Sequence, residues 1–348
     1  MEIDEIILLA RKGFIDQAIE RISKLKHPLD RVIALTRVGE VVKDLSILDD
    51  ALYLVEHSLK SVEDKIFGYS ELGVSYSRLG DKESSASCFE EAINLLGKLE
   101  EYEAGVIAIS LGAKLALAGF HRNALEMFDF AFDSLMESEI KLSEKVELIT
   151  QLADTMETVG DELPSAIALE FYERAYYIFD NLRIGDRSSN LEKKIRVSKA
   201  LKVAGLPGVR KLVLEGRFED ALHLLDNLKG GERIIGILEL SLWAKEMESY
   251  ERFKLIDIAL EEIKTANLSD DEKVKIVNLL SKLELFENAL EVGKSIKEGE
   301  IRDKALYLLG KELIKSGEFE YVKTKLLPLI RSQDLKEDLA RLFGEVNG

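Results

Sequence analysis

The stretch LGVSYSRLGD, from Leu72 to Asp81, decides the fold class of this protein. A glycine stands second, an aromatic residue follows three positions later, and another glycine precedes an acid. Apolar residues on both sides recur at spacings of three and four, which is typical of a helix. Glycine inside a helix costs up to about 1 kcal/mol relative to alanine, so Gly73 needs a physical reason. We interpret it as a position that a neighbouring helix approaches closely.

The same arrangement recurs along the first half of the chain. After the turn at Gly80, Phe89 and Ala92 lie on one face of a second helix. The next segment has equivalent residues at Gly112, Gly119, Ala124, Phe128 and Ala131. The segment after it has them at Ala153, Gly160, Ala168, Tyr172 and Ala175. The segment before Gly73 matches less closely, at Gly39, Val42, Ala51 and Val55. Equivalent small residues are 34, 39 and 41 positions apart. This period predicts stacked helical hairpins, because no single hairpin can bury its apolar face alone.

A sparser version of the pattern begins at Phe14, Phe218 and Phe286, and strand alternation is absent. The sequence therefore predicts an all-α fold of about twenty helices, in which Ser269 and Glu272 have the spacing of a capping box. Glycine, serines and charges interrupt the period at residues 180–190. We predict an acidic N-terminal array at 1–183 and a C-terminal array at 190–348. One continuous superhelix with a break near 180–190 is the alternative.

This order of small residue, large residue, turn glycine, alanine, aromatic residue and alanine resembles the tetratricopeptide repeat (TPR). The resemblance is best from Gly39 to Ala175 and looser from Val209 to Leu329, and the family's early tryptophan and late proline are missing. It implies a divergent, right-handed α-solenoid of about nine TPR-like hairpins. We expect three small residues to leave space for the neighbouring helix, and one aromatic ring to fill each space. The pairs are Gly73 with Phe89, Gly112 with Phe128, and Ala153 with Tyr172.

Composition and charge limit the function classes. The 348 residues are 46% hydrophobic and 32% charged, which suits a folded core, and Glu and Lys usage is thermophile-like. The net charge of −17 predicts that nucleic acid is not a partner. Acids outnumber bases by 35 to 18 in residues 1–180, whereas residues 181–348 hold 30 of each. The acidic excess therefore belongs to the first half.

The start of the sequence and its cysteine content indicate a location. MEIDEIILLARKG carries acids where a signal peptide needs bases, and no apolar run is long enough to span a bilayer. A single cysteine suits a reducing compartment. We therefore predict a cytoplasmic protein without a membrane partner.

Residue types that serve catalysis or metal binding are scattered. His27, His57, His121 and His223 do not pair at ligand spacing. Cys88 lies in a helix that packs in the core, and we interpret it as a buried, unreactive thiol. The sequence predicts no metal, no cofactor and no catalytic residue, and hence no enzyme.

In the repeats that this chain resembles, the first helix of each hairpin lines a concave groove. The resemblance places Val106, Ile109, Ala113 and Leu117 in that groove. Alternatively, these four residues belong to the core of the hairpin, and their assignment to the groove is wrong by one position.

An aromatic helix is the second candidate surface. Phe171, Tyr172, Tyr176, Tyr177 and Phe179 crowd one helix, which is more than one face can bury. Part of this cluster must be core. We predict that Tyr176 and Tyr177 contact a partner or a second copy of the chain.

Two basic surfaces complete the candidates. Residues 183–211 hold nine bases, and five of them lie on one predicted helix: Lys193, Lys194, Arg196, Lys199 and Lys202. They either pair with acids of neighbouring hairpins or bind an acidic partner. That partner is another protein or the acidic first half of a second copy of this chain. A stripe near the C-terminus is either a solvated face or another contact site: Lys304, Tyr307, Lys311 and Lys315.

These observations favour a non-enzymatic protein-interaction scaffold or adaptor, with a protein or peptide as the partner. A ligand- or peptide-sensing regulator is the alternative, and it requires a deep apolar pocket with a few converging polar groups. An enzyme would require clustered acids, histidines or a cofactor motif.

Overall fold

Helices form all the regular secondary structure of residues 2–347, the part of the chain that the computed structural model describes, with side chains described to residue 342. The predicted all-α fold is confirmed. The helices are α1 (Glu2–Arg11), α2 (Ile15–Ser23), α3 (Pro28–Val42), α4 (Leu45–His57), α5 (Val62–Arg78), α6 (Lys82–Leu96), α7 (Glu101–Leu117), α8 (His121–Glu137), α9 (Leu142–Glu162), α10 (Ser165–Asn181), α11 (Gly185–Ala200), α12 (Pro207–Leu214), α13 (Phe218–Leu224), α14 (Gly230–Glu246), α15 (Glu251–Thr265), α16 (Asp270–Lys282), α17 (Phe286–Lys294), α18 (Gly299–Lys315), α19 (Phe319–Tyr321) and α20 (Gln333–Asn347).

The chain divides into two compact units. The first comprises Met1–Asp161 and Glu170–Leu191, and the second comprises Glu162–Leu169 and Glu192–Gly348. The division thus falls inside α11, and the α9–α10 connection belongs to the second unit. The interruption at residues 180–190 is mostly helical, since only residues 182–184 separate α10 from α11.

Consecutive helices pair into hairpins in each unit. In the first unit α1 packs on α2, α3 on α4, α5 on α6 and α7 on α8, while α1, α3, α5 and α7 also contact one another in that order. In the second unit α14, α16, α18 and α20 form the corresponding row, and α15 and α17 pack beside it. The predicted architecture of repeated helical hairpins is confirmed, with the first helices of successive hairpins side by side.

Glycine–aromatic contacts hold the hairpins together, as the repeat pattern predicted. A Cβ atom added to Gly73 would lie 2.7 Å from the Phe89 ring, and one added to Gly112 would lie 2.8 Å from the Phe128 ring. The assignment of the third contact to Ala153 is wrong. A Cβ on Gly160 would lie 2.6 Å from the Tyr172 ring, because α9 continues to Glu162 and keeps Gly160 inside the helix. Gly160 is therefore a packing residue and not the turn glycine that the pattern predicted.

Two of the predicted turn glycines and the predicted capping box are found at helix ends. Gly80 and Gly119 follow α5 and α7 with φ of 91° and 90°, a conformation that side chains with a Cβ rarely adopt. The side chain of Ser269 accepts the backbone N–H of Glu272, and the Glu272 side chain accepts from the Ser269 backbone. This reciprocal pair confirms the capping box that begins α16.

A buried carboxylate organises the connection between α11 and α12 in the second unit. Glu239, on α14, is only 3% exposed. Its oxygens accept the backbone N–H of Val203 at 3.0 Å and that of Ala204 at 2.9 Å, and the N–H of Lys202 also points to it. Burial raises the pKa of Glu239, and these backbone donors oppose the rise. The carboxylate thus accepts from three successive backbone donors, and the N–H of Ala204 would otherwise be buried without an acceptor.

The single cysteine is buried, and we expect it to be unreactive in the folded protein. Cys88 is 3% exposed, and burial raises the pKa of its thiol to about 12. At pH 8 its thiolate fraction is on the order of a thousandfold below that of a free cysteine, so alkylation should be correspondingly slow. Rates with iodoacetamide, measured in buffer and in concentrated guanidinium, test this. Equal rates in the two solvents would contradict the burial of Cys88.

Candidate binding site

A cavity of about 360 Å³ opens between α3, α5 and α7 in the first unit. These are the first helices of three successive hairpins. Residues at spacings of three and four on α5 and α7 face the cavity, and α3 contributes Leu29. Its apolar wall consists of Leu29, Ile66, Phe67, Val106, Ile107 and Leu111. The polar groups around it are Glu63, Asp64, Ser70, Ser110 and Lys114. The cavity is apolar with a few polar groups at its edges, the usual composition of a ligand site.

Lys114 is the most unusual residue of the cavity, because its charged end is largely removed from water. Its side chain is 14% exposed. Its Nζ donates to Ser70 Oγ at 2.9 Å, lies 3.0 Å from Glu71 Oε1 and stands 3.9 Å from the centre of the Phe67 ring. Burial lowers the pKa of Lys114, and the Glu71 carboxylate opposes that change. The ammonium is thus held in one position beside an aromatic wall.

Lys114 belongs to an ion-pair network that joins α3, α5 and α7. Glu71 Oε2 accepts from Arg37 Nη2 at 2.9 Å, and Glu40 Oε1 accepts from Arg78 Nη1 at 2.6 Å. Arg37 Nη1 also lies 3.4 Å from Glu40 Oε2. With three cations and two carboxylates, the network carries one excess positive charge in an otherwise acidic half of the chain. The carboxylates of Glu63 and Asp64 also line the cavity.

The groove residues predicted on α7 do not all reach this cavity. Val106 is half-buried and lines it, whereas Ala113 is half-buried and Leu117 is exposed away from it. Ile109 is 4% exposed and lies in the core. The cavity is instead lined by Ser110 and Lys114, which follow Ile109 and Ala113 by one position. This agrees with the alternative in which the groove assignment is wrong by one position.

Sequence reasoning missed Lys114. The signal was available, because Lys114 is the only basic residue in the helix EYEAGVIAISLGAKLAL, where the residues around it are apolar or small. A base at such a position must either reach solvent or find a partner. Here it finds Glu71 on the neighbouring helix.

The aromatic helix is divided between core and surface. Phe171, Tyr172 and Phe179 on α10 are fully buried. Tyr176 is half-buried, and Tyr177 is 65% exposed and lines a second cavity, between α8 and α10. Their role in partner contact stays a prediction.

The predicted basic surface lies on and after α11 in the second unit. Lys193, Arg196, Lys199 and Lys202 are exposed, and Lys194 is half-buried. Arg196 lies 3.1 Å from Glu246 Oε2 and 5.7 Å from the Trp243 ring centre. For Arg196 the structure therefore shows the internal ion pair that was one of the two alternatives.

The C-terminal stripe runs along α18. The Tyr307 hydroxyl donates to Asp338, and Lys311 Nζ lies 5.6 Å from the Tyr307 ring centre. Lys315 lies 2.7 Å from Glu312 on the same helix, and Lys304 is exposed. Three of the four residues thus have contacts within the second unit.

Two further kinds of feature are absent from the described residues. None of their helices combines the length and apolar composition that a membrane span requires. No group of three or more His, Cys, Asp or Glu side chains among them is arranged to hold a metal ion.

Comparison with known proteins places the chain in a family. No protein-family model matches the sequence, and no curated protein matches it. Among solved structures, the crystal structure of Ton1535 from Thermococcus onnurineus NA1 is similar, with a TM-score of 0.80 and 30% sequence identity over 99% of each chain. This chain belongs to the same family as Ton1535. Because the similarity covers nearly the whole length, it includes the helices of both compact units.

A second solved structure aligns much less well. It is the apo form of the quorum sensor NprR from B. thuringiensis, with a TM-score of 0.27 and 16% identity over 100% of this chain and 98% of that one. A TM-score of this size supports no inference about fold or function.

Proposed function

We propose that this protein is a non-enzymatic interaction scaffold or adaptor built from divergent TPRs. We further propose that the cavity between α3, α5 and α7 binds an extended segment of a partner protein or peptide. The observation that supports this most is Lys114, a cation whose side chain is only 14% exposed and which lines an apolar cavity of about 360 Å³. An apolar side chain of the partner fits the wall, while Lys114, Ser70 and Ser110 offer polar contacts to its backbone.

The chemistry of Lys114 favours binding over catalysis. A nucleophilic lysine needs an amine lone pair that is open to a substrate, whereas Lys114 Nζ lies in a salt bridge 3.0 Å from Glu71 Oε1. The salt bridge, the hydrogen bond to Ser70 and the contact with Phe67 also hold Nζ in place. A fixed cation suits the recognition of a partner. We also propose a cytoplasmic location, as the sequence predicts.

The second candidate is a peptide- or ligand-sensing regulator, and the ion-pair network favours it. Arg37, Glu71 and Lys114 connect three successive hairpins through single contacts of 2.9 and 3.0 Å. A ligand that draws Lys114 away from Glu71 would change what holds α5 to α7. Such a ligand would couple occupancy of the cavity to the packing of hairpins.

Selection of peptides from a random display library tests the proposal. Peptides enriched on the wild-type protein should bind the Ser110→Phe variant at least about tenfold more weakly, because the new ring fills the cavity. Lys114→Met, which keeps the length of the side chain and removes its charge, should also weaken binding. Calorimetric titration gives both affinities.

The matched control is Ser143→Phe, an identical substitution at an exposed position of α9 outside the cavity. It should bind as the wild type does. Enriched peptides that bind Ser110→Phe and wild type equally would refute this cavity as the partner site.

A further inference from the structure

A second cavity in the first unit, of about 480 Å³, lies between α8 and α10, which are second helices of their hairpins, and Met156 of α9 also lines it. It is separate from the cavity beside Lys114, which is formed by first helices. Its lining residues are Asp129, Phe132, Asp133, Met156, Glu173, Arg174, Tyr177 and Ile178.

The floor of this cavity is apolar. Met156 and Ile178 are 1% and 5% exposed, and Phe132 is half-buried beside them. Tyr177 is 65% exposed at the edge. An aromatic side chain left largely in water next to a hydrophobic floor is typical of a surface that a partner covers.

The rim of the cavity is acidic. It carries the carboxylates of Asp129, Asp133 and Glu173 and one cation, Arg174. Arg174 Nε and Nη2 lie 3.1 and 3.4 Å from the two oxygens of Asp129, so this guanidinium offsets one carboxylate. Summed over the eight lining residues alone, the charge is −2, within the acidic half of the chain. Such a rim repels anionic partners and attracts cationic ones.

We propose that this second cavity docks a cationic segment of another protein. In this complex an aliphatic or aromatic side chain of the segment lies on Met156 and Ile178, and Tyr177 packs against it. A lysine or arginine residue beside that side chain faces the exposed carboxylate of Asp133 on the rim. The site is additional to the peptide cavity between α3, α5 and α7 and does not depend on it.

The basic surface of a second copy fits this cavity less well. Its exposed residues Lys193, Lys199 and Lys202 offer charge, but the apolar residues of the same helix, Leu191 and Ile195, are buried. A second copy would satisfy the rim and leave the floor uncovered. The chemistry of the cavity therefore favours a partner that carries both charge and an apolar side chain.

Methyl NMR of the full chain with ¹³C-labelled methionine tests the proposal, because Met156 reports from the floor. The probes are acetyl-Lys-Leu-Trp-Lys-amide and its acidic counterpart, acetyl-Glu-Leu-Trp-Glu-amide. We expect the lysine peptide to shift the Met156 methyl signal saturably, and less at high salt. Met127, on α8 outside the cavity, and Met247, in the second unit, should stay in place.

Charge-matched variants locate the binding. Asp133→Asn with Glu173→Gln should weaken the lysine peptide about tenfold or more, and Tyr177→Ser should weaken it as well. Glu170→Gln with Asp180→Asn removes two exposed acids of α10 outside the cavity and should change affinity little. Unmoved Met127 and Met247 signals show that each variant is folded.

Three results would overturn the proposal. The acidic peptide could shift Met156 as much as the basic one, or the control pair could weaken binding as much as the cavity pair. A Met156 shift that follows protein concentration without any peptide would identify a second copy as the occupant. Ser110→Phe should leave binding at this second cavity unchanged, so the proposals for the two cavities can be refuted independently.

Discussion

Replacing Gly112 with leucine lowers the free energy of unfolding of the first unit by about 1–3 kcal/mol. A Cβ at this position would lie 2.8 Å from Cε1 and 2.9 Å from Cδ1 of Phe128. The Phe128 ring cannot move aside freely, because it is fully buried and meets Phe171 edge-on with ring centres 6.1 Å apart. Denaturant titration followed by pulse alkylation of Cys88 measures the effect, since this thiol lies in the same unit.

The control for Gly112 is Gly97→Ala, at the end of α6. Gly97 has a helical φ of −65°, and the nearest atom to a new Cβ is the Asn94 carbonyl oxygen at 3.8 Å. This variant should be neutral or more stable by up to about 1 kcal/mol, because alanine restricts the unfolded chain. Adding Phe128→Leu to Gly112→Leu should recover part of the loss. If Gly112→Leu and Gly97→Ala unfold at the same denaturant concentration, the close contact between α7 and α8 is wrong.

Replacing Glu239 with alanine destabilises the second unit by about 2–4 kcal/mol. The substitution leaves the backbone N–H groups of Lys202, Val203 and Ala204 without their acceptor. The N–H of Ala204 is buried, and a buried unsatisfied donor costs about 1–3 kcal/mol before relaxation, while the half-buried N–H of Val203 adds a smaller loss. Trp243 is the only tryptophan of the chain and lies on the same helix, so its fluorescence reports the unfolding of this unit.

Glu246→Ala is the matched control for Glu239, because the same residue type stands on the same helix. The Glu246 side chain is 51% exposed, and its ion pair with Arg196 is worth at most about 1 kcal/mol. Equal losses from the two substitutions would show that the α11–α12 connection does not depend on the buried carboxylate.

The hairpin architecture could be predicted because its signals are local. Gly73 and Phe89 are sixteen residues apart, as are Gly112 and Phe128, so one hairpin contains both members of each contact. The same reasoning placed Ala153 opposite Tyr172, where the structure has Gly160. The error arose because α9 extends beyond the expected turn, and its length depends on packing that the repeat pattern does not contain.

The candidate site was predicted only in part, because it is formed between hairpins. Val106 was assigned to the groove and lines the cavity, but Ile109 is in the core and Lys114 was not proposed. Successive residues of a helix differ by about 100° in direction, so a frame error of one residue turns a groove position into a core position. Periodicity alone defines an apolar face and does not say which edge of it meets the next hairpin.

The sequence by itself therefore determined the helical class, the repeated hairpins, the capping box at Ser269 and the close contacts at Gly73 and Gly112. These features depend on residues a few turns apart and on the small volume of glycine. Only the tertiary structure decided the partner of Lys114, the three donors to Glu239 and the acidic cavity beside Tyr177. Each of these features joins residues of different helices. The relative rotation of those helices is set by packing across whole hairpins, and the spacing of residues along one helix does not determine it.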